Sequence, residues 1–180
     1  YKKTDFKILD LCSGSGCIAL SLAKNFPNSS VVGVDISQDC INLATQNKIK
    51  NNISNVEFIF SDLYKNLKQD FKFDLIVANP PYISEEDFKT LQPEVKNWED
   101  KRALVANNNG LEIIEKIILN AKDYLNIDSQ INKAGLNQIY IEIGYNQGEQ
   151  VTQIFKNNKF WNITIIKDLN KKDRVVSAGV

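Results

Sequence analysis

The chain has 180 residues, 43% of them apolar, and its 22 lysine and arginine residues balance 22 aspartate and glutamate residues. It contains no histidine, which excludes Ser-His-Asp and Cys-His catalysis and histidine-ligated zinc. The zero net charge is not that of a non-specific DNA or RNA binder, and the uncharged runs fall short of the ~18–20 residues that a membrane span needs.

Short apolar runs alternate with helical patterns along the chain, which is typical of βαβ units. Strands are predicted at residues 6–11, 31–35, 56–60, 73–78, 138–143, 161–166 and 174–180. Helices are predicted at residues 16–25, 37–51, 85–91, 110–125 and 147–156. The connection between the last two strands is too short for a crossover helix, so they should form an antiparallel hairpin. The predicted fold is α/β, with a doubly wound, seven-stranded, mostly parallel sheet that ends in this hairpin.

Two stretches interrupt the pattern. Residues 79–109 form a long, mostly irregular segment, of the kind that is usually functional or disordered, and residues 126–137 have the composition of a surface loop. The chain opens at Tyr1 without a signal peptide, so we expect one domain of a longer protein or a processed form. Its three cysteines, which lack CxxC spacing, indicate reduced thiols in an intracellular protein.

A glycine-rich loop joins the first predicted strand to the first predicted helix and reads Asp10-Leu-Cys-Ser-Gly14-Ser-Gly16-Cys-Ile-Ala19. Glycines let the backbone approach a ligand closely, and the helix N-terminus offers free N–H groups. Asp35 ends the second strand 19 residues after Gly16, where an acid can accept both hydroxyls of a ribose. The pattern predicts an adenosine-containing cofactor, but the loop alone does not separate NAD(P) from S-adenosylmethionine.

A further acid, Asp62, follows the third strand and precedes Leu63. The carboxyl ends of parallel strands meet at one edge of a sheet. An adenine lying at that edge could present its amine to Asp62 and stack on Leu63.

The fourth strand stops at Asn79-Pro80-Pro81-Tyr82. The prolines fix φ and remove two N–H donors, which leaves the Asn79 side-chain oxygen and the Pro80 carbonyl as rigid acceptors, while Tyr82 offers a flat aromatic face. Two acceptors and an aromatic face suit a planar –NH2 group. Hydrogen bonds to both of its protons can turn the nitrogen toward an electrophilic methyl group, so that positioning does most of the catalytic work.

These motifs together resemble the amino-directed class I S-adenosylmethionine methyltransferases. Further segments make the chain similar, over nearly its whole length, to the HemK/PrmC-type release-factor glutamine N5-methyltransferases. These segments are Val77-Ala-Asn-Pro-Pro-Tyr-Ile83, Trp98-Glu99 before Ala103-Leu104-Val105-Ala106, Glu142-Ile-Gly-Tyr-Asn-Gln147-Gly148-Glu149, and Asp168 followed by Asp173-Arg174-Val175.

The resemblance implies a substrate, the glutamine of the Gly-Gly-Gln motif in class I peptide chain release factors, and S-adenosylmethionine as the cofactor. Asn79, Pro80, Pro81 and Tyr82 would grip the glutamine amide. Neither a metal nor direct contact with nucleic acid or a membrane is implied. The residues implied to bind the cofactor are Asp10, Cys12, Ser13, Gly14, Ser15 and Gly16 around the methionine portion, Asp35 and Ile36 at the ribose, Asp62 and Leu63 at the adenine, and Asn79.

The chain departs from the family pattern at several points. Cys12 stands where the family often has glycine, and Asp100 replaces the proline that usually follows Glu99. Residues 1–180 correspond to the methyltransferase domain, without the family's N-terminal helical domain that helps to bind the release factor. Trp98 and Phe88, in the segment after the Asn-Pro-Pro-Tyr motif, are candidates either for contact with the release factor or for the core of a lid.

Four other interpretations use part of the same pattern. A DNA adenine N6-methyltransferase also fits Asn-Pro-Pro-Tyr, but it is disfavoured by the zero net charge and by the lack of room for a target-recognition domain. The eukaryotic cytosolic release-factor enzyme that needs a small zinc-binding partner matches the later motifs less well. An NAD(P) oxidoreductase lacks an obvious proton donor, and a non-catalytic scaffold subunit would not need an intact Asn-Pro-Pro-Tyr. The expected location is the bacterial cytoplasm or the mitochondrial matrix.

Overall fold

A computed structural model describes residues 5–98 and 100–180 of the chain. The strands are β1 (Lys7–Leu11), β2 (Ser30–Asp35), β3 (Val56–Phe60), β4 (Leu75–Ala78), β5 (Ile139–Glu142), β6 (Trp161–Lys167) and β7 (Asp173–Gly179). The longer helices are α1 (Cys17–Asn25), α2 (Gln38–Lys50), α7 (Glu112–Tyr124) and α9 (Gly148–Asn157). The short helices are α3 (Glu85–Lys89), α4 (Pro93–Trp98), α5 (Lys101–Leu104), α6 (Asn107–Gly110) and α8 (Gln130–Lys133).

The seven strands form one sheet in the order β3-β2-β1-β4-β5-β7-β6. The first five pair in parallel, and β7 pairs antiparallel with both β5 and β6. The predicted α/β fold and its antiparallel C-terminal hairpin are confirmed. The chain runs outward from β1 to β3 and then returns to place β4 beside β1. The topological switch point, where ligands bind in doubly wound sheets, therefore lies between β1 and β4.

Helices cover both faces of the sheet, which is why its inner strands are nearly continuous apolar runs. On one face, α1 packs over a small cluster that includes Ile8, Ala19 and Val31. On the other face, α7 and α9 pack over a larger cluster, where Ile114, Ile117 and Phe155 are completely buried. Burial of such side chains contributes roughly 1.5–3 kcal/mol each and fixes the edges of the sheet on which the loops lie.

The structure differs from the sequence prediction mainly in the two stretches expected to be irregular. Residues 79–110 contain four short helical segments, of which α6 has left-handed φ values of 52° and 54° at Asn108 and Asn109, and residues 126–137 contain one. Three of these five helices begin at a polar cap, since the side chains of Ser84, Asp100 and Ser129 each accept a backbone N–H two or three residues later. Helices of four to six residues are too short to show a 3.6-residue apolar period. The sequence therefore predicted α3, within residues 85–91, but none of the other four.

Phe88, on α3, is half-buried and has the ammonium groups of Lys96 and Lys101 over its ring, 5.9 and 5.3 Å from the ring centre. The side chain of Trp98 and the whole of Glu99 lie outside the described residues. The two roles proposed for Phe88 and Trp98 therefore stay predictions. In the described ranges, no helix is both long enough and apolar enough to cross a membrane.

Candidate functional site

Four chemically distinctive residues stand side by side at the carboxyl edge of the sheet. The register pairs Leu11 with both Val34 and Ala78, and Ala78 with Ile141. One residue further along each strand come Cys12, Asp35, Asn79 and Glu142. Because neighbouring strands lie about 4.8 Å apart, Asp35 and Asn79, which are two strands apart, are separated by roughly 10 Å. The acid after β2, the glycine loop after β1 and the Asn-Pro-Pro-Tyr segment after β4 therefore lie next to one another at one edge of the sheet, as predicted.

The glycine loop turns through three left-handed residues, with φ values of 57° at Cys12, 53° at Gly14 and 83° at Gly16. A Cβ on Gly14 would meet no atom within 4 Å, so the backbone there is open to a ligand. A Cβ on Gly16 would lie 2.7 Å from the Phe58 ring, so this glycine is needed for packing. Cys12 adopts a conformation that costs a non-glycine residue about 1–2 kcal/mol, a cost that glycine at this position would avoid.

Asp35 links the glycine loop to the start of α2. Its carboxylate accepts the Gly14 N–H through Oδ2 and the Ser37 N–H through Oδ1, both at 2.9 Å. Each carboxylate oxygen has a second acceptor site, so a half-exposed Asp35 can still accept two hydroxyl groups. The next residue, Ile36, is 63% exposed. This pairing of an acid with an exposed apolar side chain suits a diol attached to a flat ring.

Asp10 lies beneath the loop and is completely buried. Its Oδ2 accepts the Ala19 N–H at 3.0 Å, while no described group bonds to its Oδ1 or to the buried hydroxyl of Ser13. Burial raises the pKa of Asp10 from 3.8 to about 7; the Ala19 N–H opposes this shift and the charge of Asp35 adds to it. Asp10 thus holds the first turn of α1 against the end of β1 and shapes the loop from below.

The raised pKa of Asp10 predicts a specific pH dependence of stability. Between about pH 4 and pH 7 the folded chain keeps a proton on Asp10 that the unfolded chain has released, so the contribution of this group to the free energy of unfolding decreases as the pH rises. The free energy of unfolding, measured by denaturant titration at several pH values in this range, should fall more with rising pH in the wild type than in Asp10→Asn. The same pH dependence in both proteins would show that Asp10 does not titrate in this way.

The adenine-side candidates follow β3. Leu63 has a left-handed φ of 51°, and its carbonyl accepts the Ser61 hydroxyl at 2.7 Å. Asp62 pairs with Lys65 at 2.5 Å, with 43% and 75% of the two side chains exposed. Such exposed pairs contribute little, so Asp62 stays accessible to a ligand. A groove of about 720 Å³ extends from these residues along α7 and is lined by none of the residues 12–16, so it is separate from the glycine loop.

The Asn-Pro-Pro-Tyr segment presents the acceptors that its sequence predicts. Asn79 is exposed and Pro80 is buried. Within the described ranges, no hydrogen bond occupies the Asn79 side chain or the Pro80 carbonyl. Tyr82 is half-buried; its hydroxyl donates to Glu142 Oε1 at 3.2 Å and accepts from Arg174 Nη1 at 3.3 Å. Burial raises the pKa of Tyr82, and the neighbouring Glu142 adds to this shift, so the ring stays a neutral phenol.

Motif reasoning assigned no role to the side chains that hold Tyr82. Arg174 bridges Glu142 at 3.7 Å and Asp168 at 3.4 Å, and so ties the hairpin to the end of β5. Backbone hydrogen bonding from Lys172 lowers the pKa of Asp168, which keeps this carboxylate charged. The feature that could have identified Glu142 is its position at the carboxyl end of a strand, because it lies one residue beyond the residue that pairs with Ala78.

The site can therefore do two things. The β1–β2 side offers a glycine loop, an acid and apolar contacts, which suit a nucleoside. The β4–β5 side offers two neutral carbonyl acceptors beside an aromatic ring, which suit a planar –NH2 group. No cluster of three or more metal-ligating side chains occurs in the part of the chain that the structure describes.

Comparison with known proteins yields a family match. The model of the methyltransferase small domain matches residues 1–96, which covers the glycine loop, the acid after β2 and Asn-Pro-Pro-Tyr.

Two curated bacterial relatives are similar over nearly the whole chain. The release factor glutamine methyltransferase of Fusobacterium nucleatum is 44% identical over 95% of this chain and 46% of its own length. The enzyme of the same name from Francisella tularensis is 46% identical over 98% of this chain and 59% of its own length. The chain thus spans about half the length of the curated relatives that it matches.

Solved structures share the fold. The crystal structure of ribosomal protein L11 methylase from Lactobacillus delbrueckii subsp. bulgaricus superposes with a TM-score of 0.65 at 23% identity, over 98% of this chain and 70% of that one. A methyltransferase from Pyrococcus furiosus superposes with a TM-score of 0.69 at 17% identity, over 100% of this chain and 78% of that one.

Proposed function

The chain belongs to the methyltransferase small domain family, and we propose that it transfers a methyl group from S-adenosylmethionine to the side-chain amide nitrogen of the glutamine in the Gly-Gly-Gln motif of class I release factors. The observation that carries this proposal is the placement of the unoccupied Asn79 and Pro80 acceptors level with the glycine loop and Asp35. We propose that residues 1–180 form one methyltransferase domain.

The residues on the β1–β2 side fit the cofactor. In our proposal the open backbone at Gly14, with Cys12, Ser13, Ser15 and Gly16, holds the methionine portion over the N-terminus of α1, and Asp10 supports this loop. Asp35 accepts the ribose hydroxyls, and the exposed Ile36 covers the ring beside them. Asp62 and Leu63 contact the adenine at the end of β3, and Asn79 closes the site from β4. The cofactor supplies an electrophilic methyl group.

The residues after β4 act on the glutamine. An amide nitrogen is a weak nucleophile because its lone pair is delocalised. Asn79 Oδ1 and the Pro80 carbonyl each accept one N–H of the substrate amide, so its remaining electron density faces the methyl donor. As positive charge develops on the nitrogen, the same two oxygens stabilise it without reorganising. One of the two N–H protons is then lost to solvent, which leaves a neutral N-methyl amide. Pro81 keeps the backbone rigid, and Tyr82 stacks against the plane of the amide.

The names of the relatives support a release factor as the protein partner. Both relatives described above are named release factor glutamine methyltransferase, whereas a DNA adenine methyltransferase gains no support from these names or from the zero net charge of the chain. Their bacterial origin supports the bacterial cytoplasm over the mitochondrial matrix as the location that we propose.

A transfer assay with labelled methyl donor tests the function. The substrates are a bacterial class I release factor, the same factor with the Gly-Gly-Gln glutamine changed to alanine, and unmethylated adenine-containing DNA. We expect label on the first substrate alone. Label on DNA would make this an adenine methyltransferase, and equal label on both release factors would refute the assignment of the glutamine.

A further inference from the structure

Gln147 is a buried amide that joins three loops of the site. It is 4% exposed and lies immediately before α9. Its Nε2 donates to the carbonyls of Tyr82 at 2.9 Å and Asn109 at 3.1 Å, and its Oε1 accepts the Gly144 N–H at 2.8 Å. A carbonyl only accepts and a backbone N–H only donates, so the orientation of the Gln147 amide is unambiguous and both of its N–H protons are used.

The three partners of Gln147 belong to different parts of the carboxyl edge. Tyr82 ends the Asn-Pro-Pro-Tyr segment after β4, Gly144 follows β5, and Asn109 precedes α7. They are separated from Gln147 by 65, 3 and 38 residues along the chain, respectively. A single side chain therefore sets the relative positions of these loops, and only one of the three connections is local.

A second feature fixes the same carbonyl. Gly110 has a φ of 82°, and a Cβ there would lie 2.0 Å from the Tyr82 oxygen and 2.8 Å from Gln147 Nε2. Just beyond Tyr82, the Ile83 N–H donates to Leu104 at 2.9 Å. The last peptide of the motif is thus enclosed by Gly110, Gln147 and the end of α5.

We propose that Gln147 is a positioning residue, which fixes the backbone of the Asn-Pro-Pro-Tyr segment so that the Asn79 and Pro80 acceptors meet the substrate amide in a reactive geometry. The expected effect of Gln147 on kcat rests on the proposed function, methyl transfer to the substrate amide. Misplacement of reacting groups by about 1 Å can lower a rate about 100-fold. Gln147 fixes the Tyr82 carbonyl, and two prolines make the Asn-Pro-Pro-Tyr segment rigid. The position of this carbonyl therefore determines where the Asn79 and Pro80 acceptors lie.

The chain offers a matched control in Gln138, which is also completely buried. Its Nε2 lies 3.1, 3.0 and 2.9 Å from the carbonyls of Asp74 and Asn126 and from the Ser129 hydroxyl, so its two N–H groups share three acceptors, and its Oε1 has no partner among the described residues. Gln138 precedes β5, at the amino edge of the sheet, whereas Gln147 follows this strand at the carboxyl edge. The two glutamines match in burial and in the number of hydrogen bonds but differ in which edge they hold.

Methionine replaces glutamine with little change in volume and removes the hydrogen bonds. We expect Gln147→Met to lower kcat about 10- to 100-fold and to leave the Kd of S-adenosylmethionine within about twofold, because the β1–β2 side is untouched. Gln138→Met should lose stability but keep kcat within about threefold of the wild type. Equal losses of kcat in both variants, or none in Gln147→Met, would overturn the proposal.

Gln147→Glu provides a second test that does not depend on methionine packing. Ionised, this side chain places a carboxylate against two carbonyl oxygens; protonated, it can again donate one hydrogen bond and accept the Gly144 N–H. Its kcat relative to the wild type should therefore recover as the pH is lowered. A pH-independent ratio would count against a positioning role through hydrogen bonding.

Hydrogen exchange separates this proposal from the proposed function. Gln147→Met should speed amide exchange at Gly144 and Ile83, whereas Gln138→Met should not. If the wild-type chain methylates no release factor, the proposed function fails, but faster exchange at these amides still supports the structural role of Gln147. Unchanged exchange in Gln147→Met would overturn that role whatever the substrate is.

Discussion

Changing Asn79 to alanine is expected to lower kcat for methyl transfer about 100- to 1,000-fold, the range found when one preorganised polar group is removed from an active site. The Asn79 side chain is exposed and makes no hydrogen bond to the described residues, so its loss should leave the fold intact. The Kd of S-adenosylmethionine should change far less than kcat, because Asn79 is one of many residues proposed to contact the cofactor and the variant leaves the glycine loop and Asp35 in place. Steady-state transfer kinetics and calorimetric titration measure these two quantities.

A matched control for Asn79→Ala is Asn157→Ala. Asn157 is also an exposed asparagine, but it ends α9 and bonds only locally to Gln153 at 2.8 Å. This control should keep its rate within about twofold of the wild type. An unchanged rate in Asn79→Ala, or an equal loss of cofactor affinity and rate, would show that Asn79 does not act on the substrate amide.

The second large effect is expected on cofactor affinity. Hydrogen bonds to a charged group contribute about 1.5–3 kcal/mol each, so removing the Asp35 carboxylate should weaken S-adenosylmethionine binding at least about 10- to 100-fold. Part of this loss of affinity comes from a looser glycine loop, because Asp35 accepts the Gly14 and Ser37 N–H groups. Calorimetric titration of Asp35→Ala against the wild type measures the change.

Asp39→Ala is the control for Asp35→Ala. Asp39 is an exposed acid in the first turn of α2, four residues beyond Asp35. The Asp39→Ala substitution removes the same charge as Asp35→Ala but leaves the glycine loop unchanged. Its Kd should stay close to that of the wild type. If Asp35→Ala and Asp39→Ala weaken the cofactor equally, the effect is one of net charge and Asp35 does not bind the ribose.

The sequence was informative wherever the chemistry is local or repeats along the chain. Apolar runs predicted all seven strands to within a few residues, because buried parallel strands need such runs. The alignment of Asp35 with Asn79 also followed from sequence, since parallel strands bring their carboxyl ends to one edge of the sheet. Candidate site residues at the strand ends can therefore be selected from the sequence.

Contacts between distant parts of the chain could not be predicted in this way. Tyr82 meets Glu142 and Arg174 across 60 and 92 residues, and neither contact follows from periodicity or composition. Gln147 was predicted only as the first residue of a helix, because nothing in a single sequence distinguishes a buried bridging amide from a solvated one. The fully buried Asp10 was expected to be a cofactor contact like its neighbours, although its carboxylate holds α1.

The most direct test of the account is to locate the transferred methyl group. A bacterial class I release factor is incubated with the chain and with S-adenosylmethionine that carries a deuterated methyl group, and its peptides are sequenced by tandem mass spectrometry. We predict the label on the side-chain nitrogen of the Gly-Gly-Gln glutamine, formed at least about 100-fold more slowly when Asn79→Ala replaces the wild type. Label on any other residue, or label formed by Asn79→Ala at the wild-type rate, would contradict the account.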